Sequence, residues 1–119
     1  MNILEKYQIS FVQTMILGDP FKGVVSLDNN FSGYLTDHRT LQDVDILIEA
    51  IDMILRNQVP FIDHSSESLS TILMTSYTTK FYEDPNYDSN TSYYEIPTVD
   101  FREIVVKWRE FVSTPTIIV

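Results

Sequence analysis

The chain predicts an α+β domain: an antiparallel sheet of about five strands with two helices packed on one face, in the order β-β-β-α-β-β-α. Three observations carry this. Residues 40–57 and 100–112 repeat apolar side chains at helical spacing. The run from Thr71 to Tyr82 is rich in β-branched and aromatic residues and has no helical period. All three glycines, Gly18, Gly23 and Gly33, fall in the first third among short β-prone runs, which fits a meander with tight turns.

Lys6 to Ile16 reads as the first strand, with Tyr7, Ile9 and Phe11 alternating with Gln8 and Ser10. Gly18-Asp19-Pro20 turns the chain into a second strand over Lys22 to Leu27, and Asp28-Asn29-Asn30 turns it again. Phe31 to Leu35 is expected as a short third strand with Gly33 at a bulge. Thr40 caps the first helix, with Asp43 in its acidic first turn. Val44, Leu47, Ile48, Ile51 and Leu55 form its apolar stripe, and Asn57 and Pro60 mark its end. Asp63 to Ser70 reads as a polar loop, Thr71 to Tyr82 as one long strand, Glu83 to Thr91 as a loop and Ser92 to Ile96 as a short strand stopped by Pro97. The second helix runs from Asp100 to Val112, with Asp100 and Glu103 as an acidic variant of the capping box. Phe101, Ile104, Val105 and Trp108 make its buried stripe, which places Trp108 in the core. The tail Thr116-Ile117-Ile118-Val119 is apolar and β-branched, suited to an edge strand or to the contact of a homodimer.

A length of 119 residues suits a single domain over 1–119. The chain has no cysteine, and its start, Met1-Asn2-Ile3-Leu4-Glu5-Lys6, lacks the basic and long apolar character of a signal peptide. No run approaches the roughly 20 apolar residues that span a bilayer. A cytoplasmic protein in a reducing compartment is the expectation.

The net charge of −9 lies entirely in the middle of the chain. Thr40 to Asp100 holds eleven acids against two bases, Arg56 and Lys80, while the flanking segments nearly cancel. Five of the seven tyrosines fall between Tyr77 and Tyr94, interleaved with Glu83, Asp84 and Asp88. Such a surface suits a basic protein partner and suits neither nucleic acid nor an anionic membrane. Tyr82, Glu83, Asp84, Tyr87 and Asp88 are the first candidates for contact, because tyrosines add rigid, desolvating area to the charge. Tyr82 and Tyr87 are expected to stay accessible, whereas Tyr77 and one of Tyr93 or Tyr94 should face the core. Asp45, Glu49 and Asp52 on the first helix are the competing set.

Catalytic and metal chemistry find no motif. His38 and His64 each follow an aspartate, but no third ligand stands at a recognisable spacing, so both read as exposed loop residues. No pair of acids is singled out for acid–base work, the glycines form no phosphate loop, and the acids of 84–88 do not match a calcium loop. The expectation is a binding protein with no metal, no cofactor and no activity as an enzyme. A cleft joining His38 or His64 to two carboxylates would revive an enzyme as the alternative.

The close of the chain adds a resemblance. Glu95-Ile96-Pro97-Thr98-Val99-Asp100-Phe101, followed by Ile104, Lys107-Trp108 and Phe111, resembles the end of many small bacterial immunity proteins. In these an Ile-Pro step leads into a terminal helix with a W-x-x-F pattern. The resemblance is specific over about the last quarter of the chain and compositional elsewhere. It implies an immunity protein of a polymorphic-toxin or contact-dependent growth-inhibition system. Such a protein binds a cognate toxin domain, often a nuclease, in the cytoplasm and blocks it sterically. Nucleases tend to be basic, which the acidic middle complements. The alternatives are an acidic nucleic-acid mimic or anti-restriction protein, and a small homo-oligomeric structural subunit.

Overall fold

A computed structural model describes residues 1–115; the apolar tail from Thr116 lies outside them, and so does its expected role as a strand or dimer contact. Among the described residues the fold is α+β, with four helices and two antiparallel sheets. The first sheet is a hairpin of β1 (Ser10–Ile16) and β2 (Asp19–Val25). The second has four strands in sequential order, β3 (Ile62–Ser65), β4 (Thr71–Met74), β5 (Thr78–Tyr82) and β6 (Tyr94–Pro97). The helices are α1 (Ile3–Lys6), α2 (Asn29–Thr36), α3 (Leu41–Leu55) and α4 (Thr98–Ser113).

The expected single sheet is thus divided in two, because 31–35 is helical. Asp28 accepts a hydrogen bond from the Phe31 amide at 2.8 Å, capping α2. Phe31, Tyr34 and Leu35 then bury one face at helical spacing. Gly33 marks no bulge; a Cβ there would stand 3.0 Å from Ser70 Oγ, so the glycine lets α2 approach the 66–70 loop. The expected first strand loses its start: Lys6 ends α1, Gln8 stands at φ +54°, and β1 begins only at Ser10. The expected long strand of 71–82 is two strands, turned at Thr75-Ser76-Tyr77 by a Thr75–Thr78 backbone hydrogen bond of 2.9 Å. Tyr77 sits on that turn, 85 % exposed, rather than facing the core. Part of the expected polar loop of 63–70 pairs with β4 as the edge strand β3.

Both long helices stand where expected. Thr40 Oγ1 accepts from the Asp43 amide at 3.1 Å. In α4 the chain enters the helix directly after Pro97, with no side-chain cap. Asp100 lies inside the first turn, where its carboxylate accepts hydrogen bonds from Tyr7 and Lys6 instead of closing a capping box.

The core lies between α2, α4 and the inner face of the four-stranded sheet, which contributes Ile72, Met74, Phe81 and Ile96. Helix α3 packs on α4, and the hairpin packs on α2. Trp108 is fully buried; its indole N–H donates to the His38 carbonyl at 2.7 Å, and the Phe11 ring meets it edge-on at 5.1 Å. This ties α4 both to the end of α2 and to the hairpin. No helix among the described residues is long and apolar enough to cross a membrane.

Candidate functional site

The register of the sheet sorts its side chains onto two faces. Ile62, Met74, Thr79 and Ile96 form one cross-strand row and His64, Ile72, Phe81 and Tyr94 another; these face the helices. Asp63, Leu73, Lys80 and Glu95 form a row on the opposite face, beside that of Ser65, Thr71 and Tyr82. The segment 83–93 folds back over this outer face. Tyr87 stacks on Tyr82 with ring centroids 4.0 Å apart and planes 11° from parallel, and its hydroxyl donates to the Asp63 carboxylate. That hydrogen bond, with desolvation added, pushes the Tyr87 hydroxyl up to about 12. Tyr93 also meets Tyr82, and Lys80 lies over the Tyr93 ring at 4.6 Å.

The sequence-predicted loop residues therefore divide. Tyr82, expected to be accessible, is 4 % exposed: it is the platform on which the loop rests. The alternating pattern of β5 put it on the outer face, and only the return of the loop buries it. Tyr87 is half-buried, and Glu83, Asp84 and Asp88 are exposed. Asp84 accepts from the Asn86 amide and Asp88 from the Asn90 amide, both at 2.8 Å, so these two acids shape the loop that presents them. Of the tyrosines expected to reach the core, Tyr94 packs against Phe31 and Phe81, while Tyr93 stays exposed.

The helix set is less available. Arg109 pairs with Asp45 at 2.5 Å and Arg102 with Asp52 at 2.6 Å, bridging α4 to α3 and holding both carboxylates below their usual range. Glu49, exposed between them, is in no ion pair among the described residues. The loop and α3 lie on opposite faces of the sheet.

Sequence reasoning missed a pocket of about 320 Å³ between α3 and the edge strand β3. Its wall from α3 is Ile46, Leu47 and Ala50; its wall from the sheet is Ile62, Ile72 and Met74. One end gathers Tyr34, His38 and His64, with Asp37, Asp43 and Glu67 also lining it. The Tyr34 hydroxyl is 2.8 Å from His64 Nδ1, and the two imidazole centroids are 6.2 Å apart. His38 is thus no exposed loop residue. Burial pushes its pKa down, outweighing the hydrogen bond to the Tyr34 carbonyl and the nearby Asp43. Burial likewise raises Tyr34. Burial also acts to raise Asp37, but hydrogen bonds from Ser66 and Ser68 outweigh it and hold the carboxyl low. The only signal in the sequence was the Asp37-His38 and Asp63-His64 doublets; a separation of 26 residues hid their convergence.

β3 joins these parts. Asp63 and the Tyr87 loop lie on its outer side; His64 and, beyond it, Glu67 lie on the pocket side. Among the described residues no group of three or more His, Cys, Asp or Glu side chains is placed to hold a metal ion. No family, curated protein or solved structure matches the chain.

Proposed function

We propose that this protein binds a basic protein domain and neutralises it by covering its surface, as an immunity protein does with a toxin. One observation carries the reading. Of the eleven acids between Thr40 and Asp100, only Asp45, Asp52 and Asp100 form ion pairs among the described residues. The other eight leave most of the negative charge unpaired: Asp43, Asp63 and Glu67 lie around β3, Glu83, Asp84 and Asp88 on the loop, Glu49 on α3, and Glu95 on β6 opposite Lys80. A cationic partner would be steered to this surface and would gain pairs there. The Tyr82–Tyr87 stack holds the loop carboxylates in place before the partner arrives, which lowers the ordering cost of binding. The resemblance of 95–111 to immunity proteins supports the same class and a cytoplasmic role. The acids occupy both faces of the sheet, which suits a wrapped protein contact better than the single line of charge a nucleic-acid mimic needs.

The test is to express the C-terminal domain of the protein encoded directly upstream, alone and with this chain. The reading expects that domain to be toxic, the chain to rescue growth, and the two to purify as a one-to-one complex. Rescue without a complex would contradict it. A second reading, acid–base catalysis, is favoured by the pocket that joins both histidines to Asp43 and Glu67. Titration separates the two: a covering inhibitor protects only at one-to-one stoichiometry, whereas a catalyst protects well below it.

A further inference from the structure

The pocket between α3 and β3 combines features that a solvated acidic face does not need. Its long walls are aliphatic, from Ile46, Leu47, Ala50, Ile62, Ile72 and Met74. Its polar end supplies acceptors. The His38 Nδ1–H must donate to the Tyr34 carbonyl at 2.8 Å, since a carbonyl cannot donate. The neutral ring therefore keeps Nε2 as a lone-pair acceptor. Asp43, close enough to act on His38, and Glu67 line the pocket as exposed carboxylates. The half-buried His38 ring, tilted against the buried Tyr34 ring with centroids 4.8 Å apart, lines the same pocket. About 320 Å³ is at the small end of ligand pockets, the size of one long side chain rather than of a cofactor.

We propose that this pocket receives an arginine side chain of the basic partner, its stem along the aliphatic walls and its guanidinium against His38 Nε2, Asp43 and Glu67. The inference rests on the basic-partner reading above. Arginine fits better than lysine for three reasons. Its planar head stacks on aromatic rings, it carries five donors to share among three acceptors, and it is less strongly hydrated than an ammonium. The site would act as a central anchor, while the loop acids on the far side of β3 supply peripheral charge.

The experiment is a pair of titrations followed by amide and imidazole NMR signals. In the first, Nα-acetyl-arginine amide is added to the protein, with Nα-acetyl-lysine amide as the comparison. The proposal expects saturable shifts confined to Tyr34, His38, Ala50, His64 and their neighbours, with a Kd on the order of 1 mM for so small a ligand. Asp43→Asn, which keeps the shape of the side chain, should weaken arginine binding about three- to tenfold. Ala50→Phe, which fills the pocket, should abolish it. Shifts absent, or spread equally over Glu83, Asp84 and Asp88, would overturn the proposal. The second titration compares octa-arginine with octa-lysine. Preference for octa-arginine, lost in Asp43→Asn and Ala50→Phe, supports the pocket. Equal binding of both peptides, unchanged in either variant, overturns the pocket and leaves the acidic-surface reading standing. Binding of the single arginine amide with no binding of either peptide would keep the pocket and count against the acidic surface.

Discussion

Trp108 fills the centre of the core and also pins the end of α2 by donating its indole N–H to the His38 carbonyl. Trp108→Ala removes both effects and should cost about 3–5 kcal/mol, a large share of a small domain's stability. Denaturant unfolding measures this; a variant that unfolds at the parent's midpoint would show that the side chain is not buried. His38 gives a second prediction at the same scale. The unfolded chain protonates a histidine near pH 6.5, whereas burial makes the folded chain do so only at lower pH. Between these values the unfolded state binds more protons, so stability falls as pH drops below about 6.5. A second loss follows below about pH 4, as the unfolded chain protonates before Asp37, Asp45, Asp52 and Asp100, all held low in the fold. Thermal melts between pH 8 and pH 5 should show the first loss in the parent and a much flatter profile in His38→Gln. Equal slopes in the two proteins would contradict the assignment.

At the scale of elements, the loop and the helix are the two candidates for the proposed contact surface, and they lie on opposite faces of the sheet. Glu49→Ala removes the one helix acid of the three that is not already paired, without stranding an arginine. Tyr87→Ala/Asp88→Ala releases the loop from Tyr82 and Asp63. Under the proposed function the loop variant should lose binding to the basic partner while the Glu49 variant keeps it, once circular dichroism shows both folded; the opposite result would move the contact to α3. The β1–β2 hairpin yields an independent prediction. Its two-residue turn sets Leu17 at φ +51° and Gly18 at φ +85°, and Leu17 is 99 % exposed. Such a turn prefers asparagine to leucine at its first position. Leu17→Asn should therefore stabilise the protein by roughly 0.5–1 kcal/mol, read as a higher melting temperature. The same elements show what could be read from sequence. The stripes of α3 and α4 were legible because both helices bury one face against the core, and periodicity reports burial. Residues 29–36 were not, because an eight-residue helix with Asn30, Ser32 and Gly33 has weak propensity and is held by the Asp28 cap and by packing. The burial of Tyr82 and the pocket at His38 and His64 were illegible for a different reason. Each is made by segments that meet only after the sheet has formed, and no local pattern encodes such a meeting.

At the scale of the molecule, the three ion pairs among the described residues show how the fold uses three of its eight bases. Two link α3 to α4 and one links α1 to α4, so the cations knit helices together, and none of these pairs involves the loop or β3. Outside them, the acids around β3 and on the loop outnumber the one nearby base, Lys80, at a cost in self-repulsion that a domain selected for stability alone would not need. The proposed attraction of a basic partner would account for that imbalance, and it would have a kinetic signature. Exposed charges are screened over about 8–10 Å at physiological salt, so steering weakens as salt rises while short-range contacts persist. The most direct test is stopped-flow measurement of the association rate with the proposed partner, the toxin domain encoded upstream, from low salt to about 0.5 M. The account predicts that the association rate falls at least about tenfold across that range while the dissociation rate changes little. An association rate independent of salt would contradict it.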